Sequence, residues 1–427
     1  MRNIERILIS EARIGGPAGP LADLLIRDGI IEEIGVRIDC EEAEQVHAAG
    51  LIAAPGLVDL HVHLRDPGFT DKEDVLSGCR AAAAGGVTSL VCMPNTSPAL
   101  DTADAVRAVL EKAEHADARV YPAAAISMGL QSREATDLKA LREAGAVAVS
   151  DDGRPVTDTA LLARAMGQAE SLSLRVLCHC EDLFLSAGGK LNEGSVSARL
   201  GVKGVPAAAE DCGTAREIAL AAAYNVPVHI CHVSTANSVA MLRDAKRRGV
   251  RVTAETAPHY FALTEKELLG RDADYRMSPP LRTERDRLAV IEGLQDGTID
   301  AIATDHAPHT PAEKADFLTA PNGVIGMETS FSAGLTYLVK PGLLTLRKLL
   351  ELMSENPARL LGLNAGRLEA GAPADLFLFD PEESWNVEPD RLHGKSRNAV
   401  FKGRKLTGRV KLTVCRGKIV YRDGAEA

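Results

Sequence analysis

His61 and His63 stand two positions apart near the end of an apolar run, Leu57-Val58-Asp59-Leu60-His61-Val62-His63-Leu64-Arg65. On a β-strand, residues i and i+2 face the same side. The run therefore aims two imidazoles at one point, with Arg65 one step further on that side. Neutral imidazoles that converge in this way suit a Zn²⁺-type ion. A lone His-x-His would equally describe an ordinary strand with two partly buried histidines. Four more apolar runs tip the balance, because each ends in metal-ligand residue types. They end in Ser150-Asp151-Asp152-Gly153, Cys178-His179-Cys180-Glu181, His229-Ile230-Cys231-His232 and Asp305-His306-Ala307-Pro308-His309.

The elements that must bring these ends together are legible as texture. Strand-like runs recur at 57–64, 88–95, 119–126, 147–153, 175–181, 227–234, 251–260 and 299–308. Helical stretches such as 103–116, 160–170, 236–248 and 285–294 separate them. Strands alternating with helices predict parallel βαβ units. Eight such units predict a closed (β/α)8 TIM barrel, with its site at the C-terminal ends of the strands. A doubly wound open sheet is the competing architecture, but no Gly-x-Gly-x-x-Gly follows any strand. Histidines and aspartates from five strands at one rim predict a metal site holding a pair of ions.

The flanks have another texture. Arg6–Ser10, Ala22–Ile26 and Ile30–Ile34 are short strands, the last two joined across Asp28-Gly29 in a hairpin pattern. Asp375–Asp380, Lys411–Cys415 and Lys418–Tyr421 repeat the style at the far end. Neither flank can bury a core alone. Residues 1–54 and 363–427 are therefore expected to form one small composite β-sandwich around a barrel of residues 55–362.

Composition excludes several classes. A net charge of −10 argues against nucleic acid or an anionic membrane as the main partner. The N-terminal decapeptide carries charges throughout and has no signal-peptide core, and no apolar run is long enough to cross a bilayer. The eight cysteines are scattered without a Cys-x-x-Cys, which suits free thiols in a reducing cytoplasm.

With these motifs assembled, the chain resembles the amidohydrolase superfamily. More narrowly it resembles bacterial dihydroorotases of the longer, type I kind. His-Val-His-Leu-Arg (61–65), Met-Pro-Asn-Thr (93–96), Ser-Asp-Asp-Gly (150–153), Asp-His-Ala-Pro-His (305–309) and Asn-Pro-Ala-Arg-Leu-Leu-Gly (356–362) carry the resemblance, which spans essentially the whole chain. It implies that His61, His63 and Asp305 hold the more buried of two zinc ions, that His179 and His232 hold the second, and that Asp152 touches both. Asp152 is preferred to Asp151 on the family's spacing. Hydantoinases and allantoinases bridge their metals with a carboxylated lysine from strand four. The stretch 144–150 contains no lysine, which favours the type I dihydroorotases, where an aspartate takes that place.

The implied reaction is the reversible cyclisation of N-carbamoyl-L-aspartate to dihydroorotate in pyrimidine biosynthesis. It runs through a metal-held hydroxide, with Asp305 as proton shuttle. Arg65, Asn95 and His309 are the expected clamp for the substrate carboxylate, with His63 within reach of the substrate. The loop 310–326 is expected to fold over the ring, with backbone groups of Asn322 and Gly323 bonding its amide. Ser278 stands where the family usually has asparagine. His259 and His306 are expected behind the ligands, and His229, facing away from His232, as structural. The resemblance also admits a homodimer and a complex with aspartate carbamoyltransferase. Two other readings stay open: a hydantoinase or allantoinase-type enzyme, and a non-catalytic scaffold for the transferase.

Overall fold

The computed structural model describes residues 6–424. Its centre is a sheet of eight parallel strands in sequential order. They are β1 (Leu57–Val62), β2 (Val87–Cys92), β3 (Arg119–Ala124), β4 (Ala148–Val149), β5 (Arg175–Cys178), β6 (Val228–Ile230), β7 (Val252–Thr256) and β8 (Ala301–Ile302). Each of the eight expected runs supplies one strand. Val58, Leu60, Val91, Ala123, Leu177 and Ala301 fill the barrel interior. Leu57, Leu90, Val120, Val149, Val176 and Val228 face the surrounding helices. Both faces are buried, so the strands read as continuous apolar runs rather than alternating ones.

The helices start where side chains can satisfy their first N–H groups. Thr102, Asp158, Thr235 and Thr283 each accept from the first turn of Ala103–Lys112, Thr159–Ser171, Ala236–Arg247 and Glu284–Asp296.

The seam between β1 and β8 closes largely through a side chain. One carboxylate oxygen of Asp59 accepts from the N–H groups of Thr304 (3.0 Å) and His61 (3.2 Å), and the other accepts from Thr304 Oγ1 (2.5 Å). One main-chain bond, from His63 N to His306 O at 2.8 Å, adds to it. Burial pushes the Asp59 carboxyl up to about 6 against the pull of these donors. Closing the barrel and placing His61 are thus one piece of bonding.

The two flanks form a second sheet in a single hydrogen-bonded path. Its order is Lys418–Arg422, Lys405–Cys415, Leu376–Asn386, Ile52–Pro55, Arg6–Ile14, Leu21–Arg27 and Ile30–Gly35, with Glu44–His47 also on Arg6–Ile14. Ile9, Leu24, Ile26, Leu376, Leu378 and Val414 make its core. On the other side of the long strand, Phe377 and Phe379 stack edge-on against Phe331 of helix Met327–Gly334, with centroids 5.0 and 4.6 Å apart. That aromatic contact fixes the sheet to the barrel. Among the described residues, no helix is long and apolar enough to cross a membrane.

Candidate metal centre and substrate cavity

The C-terminal ends of β1, β4, β5, β6 and β8 bring His61, His63, Asp152, His179, His232 and Asp305 together, all buried. Asp152 lies between two groups of donors. Its Oδ1 is 3.3 Å from His61 Nε2, 3.4 Å from His179 Nδ1 and 3.7 Å from His232 Nε2. Its Oδ2 is 3.5 Å from His63 Nε2. Asp305 Oδ1 is 3.1 Å from His63 Nε2 and 3.6 Å from His61 Nε2. Four ligands held at zinc bond lengths around a tetrahedral ion stand about 3.3–3.4 Å apart. The observed separations scatter around that value.

His61 Nε2 and Asp152 Oδ1 are buried with no hydrogen-bond partner among the described residues, an expensive state that a cation in their midst would relieve. His61, His63 and Asp305 make one possible ligand triad, and His61, Asp152 and His232 another. The donor set fits a metal cofactor.

Three of the imidazoles are oriented from behind. His61 Nδ1 is 3.2 Å from Glu255 Oε1, His63 Nδ1 is 2.8 Å from Asn95 Oδ1, and His179 Nε2 is 3.0 Å from Glu181 Oε2. Each of these nitrogens faces an acceptor and therefore carries the proton. The other nitrogen of each ring keeps its lone pair for the cluster. Glu255 extends the chain to His229 Nε2 at 3.2 Å, and His229 Nδ1 meets Thr253 Oγ1 at 2.9 Å.

Glu255 was missed in the sequence, although a charged residue inside the apolar run of β7 was a readable signal. His229 differs from expectation in its direction. It lies inside the barrel beneath His61, because His232 has left strand geometry with φ +39° and alternation no longer relates the two.

The neighbouring aspartates separate cleanly. Asp151 turns back to accept from the N–H groups of Ile126 (2.7 Å) and Ser127 (3.1 Å) and from the Ser127 hydroxyl. Asp152 alone faces the histidines. Burial opposes charge throughout the cluster, but pairing overrides it. Against burial, His61, His179 and His232 hold the Asp152 carboxyl well below its usual range. Against burial, Asp152 and Asp305 hold the His61 imidazole well above its own, and Asp152 with Glu181 lifts His179 to about 10. A bound cation would take the place of those protons, with the imidazoles coordinating as neutral bases.

A cavity of about 460 Å³ opens over this cluster. Arg65, Asn95, Ser278, His309, Asn322 and Gly323 all line it. Arg65 donates from Nε to Pro308 O at 3.1 Å. Burial lowers its guanidinium to about 10, so it stays charged at neutral pH. Burial, followed by Arg65, Lys314 and Lys72, drives His309 down to about 3, so this ring is neutral. His309 Nε2–H donates to Asn322 O at 2.9 Å.

Gly323, at φ +142°, has no room for a side chain: a Cβ would lie 2.7 Å from Ala307 O. Its N–H already donates to Arg276 O at 2.9 Å. The carbonyl oxygens of Asn322 and Gly323, each with a spare lone pair, are what remain for a ring N–H. The Ser278 hydroxyl makes no hydrogen bond among the described residues. Asn398, unforeseen in the sequence, ties the 307–309 turn to Gly323 through Ala307 O (3.1 Å), Gly323 O (3.0 Å) and His309 N (3.2 Å). His259 is buried beside Tyr260 and pushed down to about 4 by burial; it is not among the cavity-lining residues.

Three non-glycine site residues adopt left-handed backbone: Arg65 (φ +62°), His232 (φ +39°) and Asp305 (φ +49°). Such conformations cost about 1–3 kcal/mol each and gather where function fixes a side chain.

A family model described as dihydro-orotase-like matches residues 50–238, and one described as amidohydrolase family matches 207–421. The dihydroorotase of Acetivibrio thermocellus is 48% identical over 94% of this chain and 95% of its own. That of Geobacter sp. (strain M21) is 47% identical over 98% and 100%. Among solved structures, the L-hydantoinase (dihydropyrimidinase) from Arthrobacter aurescens superposes with a TM-score of 0.88 at 25% identity, over 99% of this chain and 97% of its own. The D-hydantoinase (dihydropyrimidinase) from Thermus sp. gives 0.85 at 26%, over 99% and 96%.

Proposed function

The chain belongs to the dihydroorotase family of the amidohydrolase superfamily and is a cyclic-amide hydrolase with dihydroorotase activity, and we propose the following roles for its residues. His61, His63, Asp152, His179, His232 and Asp305 would together hold two zinc ions. When bound, that metal would supply a water of near-neutral pKa and Lewis-acid polarisation of the ring carbonyl. Asp305 moves the proton. Its carboxyl is held well below the usual range by His61, His63 and His232 against burial, so it starts ionised in hydrolysis. Oδ1 faces His63, while Oδ2 accepts no hydrogen bond among the described residues, which leaves an oxygen for the proton.

In ring opening, Asp305 takes a proton from the attacking water, delivers it to the ring nitrogen as the C–N bond breaks, and then takes the remaining proton from the new carboxyl group, so it ends protonated. In ring closure it therefore starts protonated. It gives that proton to the side-chain carboxylate, takes one from the ureido nitrogen that attacks the carboxyl carbon, and passes it to the departing oxygen, which leaves as water. Arg65 holds the carboxylate borne by the ring, with Asn95, Ser278 and His309 beside it. Asn322 and Gly323 present carbonyls to the ring amide.

The observation that carries the substrate reading is the Arg65 guanidinium beside the histidine–aspartate cluster, in a cavity whose β4 end supplies an aspartate and no lysine. A ring with an attached carboxylate needs that charge; hydantoin and allantoin do not. Turnover of dihydroorotate, hydantoin and allantoin by one metal-loaded preparation tests it. Dihydroorotate should dominate, and a preference for either neutral ring would sink the assignment. The same reading takes in the partition at residues 54/55 and 362/363, a homodimer, and a complex with aspartate carbamoyltransferase. Light scattering with and without the transferase would reveal the two assemblies. A cytoplasmic location belongs to it as well, in keeping with eight unpaired cysteines.

A further inference from the structure

Lys314 lies in the loop that carries Asn322 and Gly323 to the cavity and is 8% exposed. Its ammonium points at main-chain oxygens: Pro321 O at 2.9 Å, and Ala273 O and Arg276 O at 3.1 Å each. An ammonium has three N–H donors and no acceptor, so each donor meets one carbonyl. None of the three partners is a carboxylate, so the site satisfies hydrogen bonds without neutralising the charge. Burying a charge in this way is costly, and an apolar side chain of the same length would fill the space without that cost.

The carbonyls belong to two strands of chain that both reach the cavity. Arg276 precedes Met277 and Ser278, and Pro321 precedes Asn322 and Gly323; all four following residues line the cavity. Arg276 supports the same junction. It donates to Phe317 O at 2.6 Å and to Asn322 Oδ1 at 3.3 Å. Asn322 O in turn accepts from His309, which packs 3.3 Å from the Arg65 guanidinium.

We propose that Lys314 is a positioning residue for the substrate: its ammonium clasps the 273–278 and 310–323 segments from behind and so sets the spacing between Ser278 and the Asn322–Gly323 carbonyls. It touches no reacting atom. Its effect passes through those residues to the ring and to the Arg65 side of the cavity. The assignment rests on the dihydroorotase reading for its substrate, but the clasp itself is a property of the chain.

The ammonium's surroundings make it sensitive to pH. Asp272 and Asp274 face it from one segment, both paired with Lys402, while Glu313 on its own loop pairs with Lys72. Burial pushes Lys314 down to about 7; Arg276 acts the same way, and Asp274, Asp272 and Glu313 oppose it. His309, held neutral, adds no charge at this pH. A neutral amine has two donors for three carbonyls, so the clasp loosens as pH rises through that value.

The test is Lys314→Met, which keeps the length and removes the charge. KM for dihydroorotate should rise at least about 10-fold, the equivalent of one lost charge-assisted hydrogen bond. Metal content should be unchanged and kcat little changed. An unchanged KM, or a loss confined to kcat, overturns the proposal. Amide hydrogen exchange should accelerate over both 272–278 and 310–326; acceleration in only one segment also overturns it.

In the wild type, KM should climb as pH passes through about 7, and a flat profile there counts against the clasp even if the variant fails to fold. A wild type inert towards dihydroorotate removes only the substrate reading. The exchange comparison between wild type and variant still decides the clasp.

Discussion

On the metal-facing wall of the cavity, every side chain leaves the end of a barrel strand, and three of the four imidazoles are gripped by another side chain. Glu255 holds His61, Asn95 holds His63 and Glu181 holds His179. On the facing wall, Arg65, Ser278, His309, Asn322 and Gly323 stand on loops stitched together mainly through main-chain carbonyls. The first arrangement suits donors that must converge within tenths of an ångström on one ion. The second suits a surface that must admit a ring, grip it and release it. Chemistry and recognition are therefore expected to fail separately.

The largest effect should follow from removing the metal-facing wall itself. His61→Ala with His63→Ala should abolish most bound metal and activity while thermal unfolding stays cooperative, because the barrel core lies elsewhere. Unchanged zinc by elemental analysis would break the comparison at its root.

Next comes Asp305→Asn, which keeps the shape and removes the base. A positioned base contributes about 10²–10⁴-fold, so ring opening and ring closure should both fall by at least that much at matched metal content. In the wild type, hydrolysis should rise with pH and cyclisation fall, since Asp305 must be ionised for one and protonated for the other. The midpoint belongs to the coupled cluster rather than to one residue. Near-normal turnover by the metal-loaded variant would remove Asp305 as the shuttle.

The facing wall is probed by Arg65→Met. Loss of charged hydrogen bonds worth about 1.5–3 kcal/mol should cut kcat/KM for dihydroorotate about 10–150-fold, with the metal retained. Metal lost along with affinity would mean that the two walls are not independent.

Smaller again is Glu255→Gln. Loosening an outer partner of a ligating histidine typically costs about 10–100-fold in metal affinity, so competition with a chelator should release metal sooner from the variant. Equal retention would make Glu255 a filler of the barrel floor. The smallest expected effect is none at all: bicarbonate should not alter activity, because the β4 end carries Asp152 and no lysine from which a carbamate could form. Rescue of an inactive preparation by bicarbonate would overturn Asp152 as the residue in the lysine's place.

Sequence reading reached the two walls unequally, for a physical reason. Strand runs and their period of two expose barrel strands directly. The metal-ligand residue types were visible in one dimension because each of the five strands carries its histidine or aspartate next to its own apolar run. The loop wall has no such period. Lys314, Arg276 and Asn398 act through carbonyls far off in the chain, and nothing in their local sequence marks the partner. Even on the metal side, parity failed where the backbone turned left-handed. His229 and His232 were expected to face opposite ways, yet both sit over or within the barrel, because the chain leaves extended geometry at His232. Asp152 and Asp151 could be separated from sequence only by resemblance. The structure separates them by hydrogen bonding, with Asp151 spent on Ile126 and Ser127.

The pairing of Ile52–Pro55 with Leu376–Phe379 has a consequence for how this chain is made. As the ribosome extrudes it, the first strands emerge long before their neighbours at the other end, and nearly the whole barrel lies between them. Until that end arrives, Ile52–Pro55 presents an unsatisfied edge, the kind of surface that recruits other nascent chains. Contacts this distant in sequence also form slowly. The terminal sheet should therefore be the last part to set, and a chain released early should aggregate through its first fifty-odd residues rather than through its metal-binding barrel.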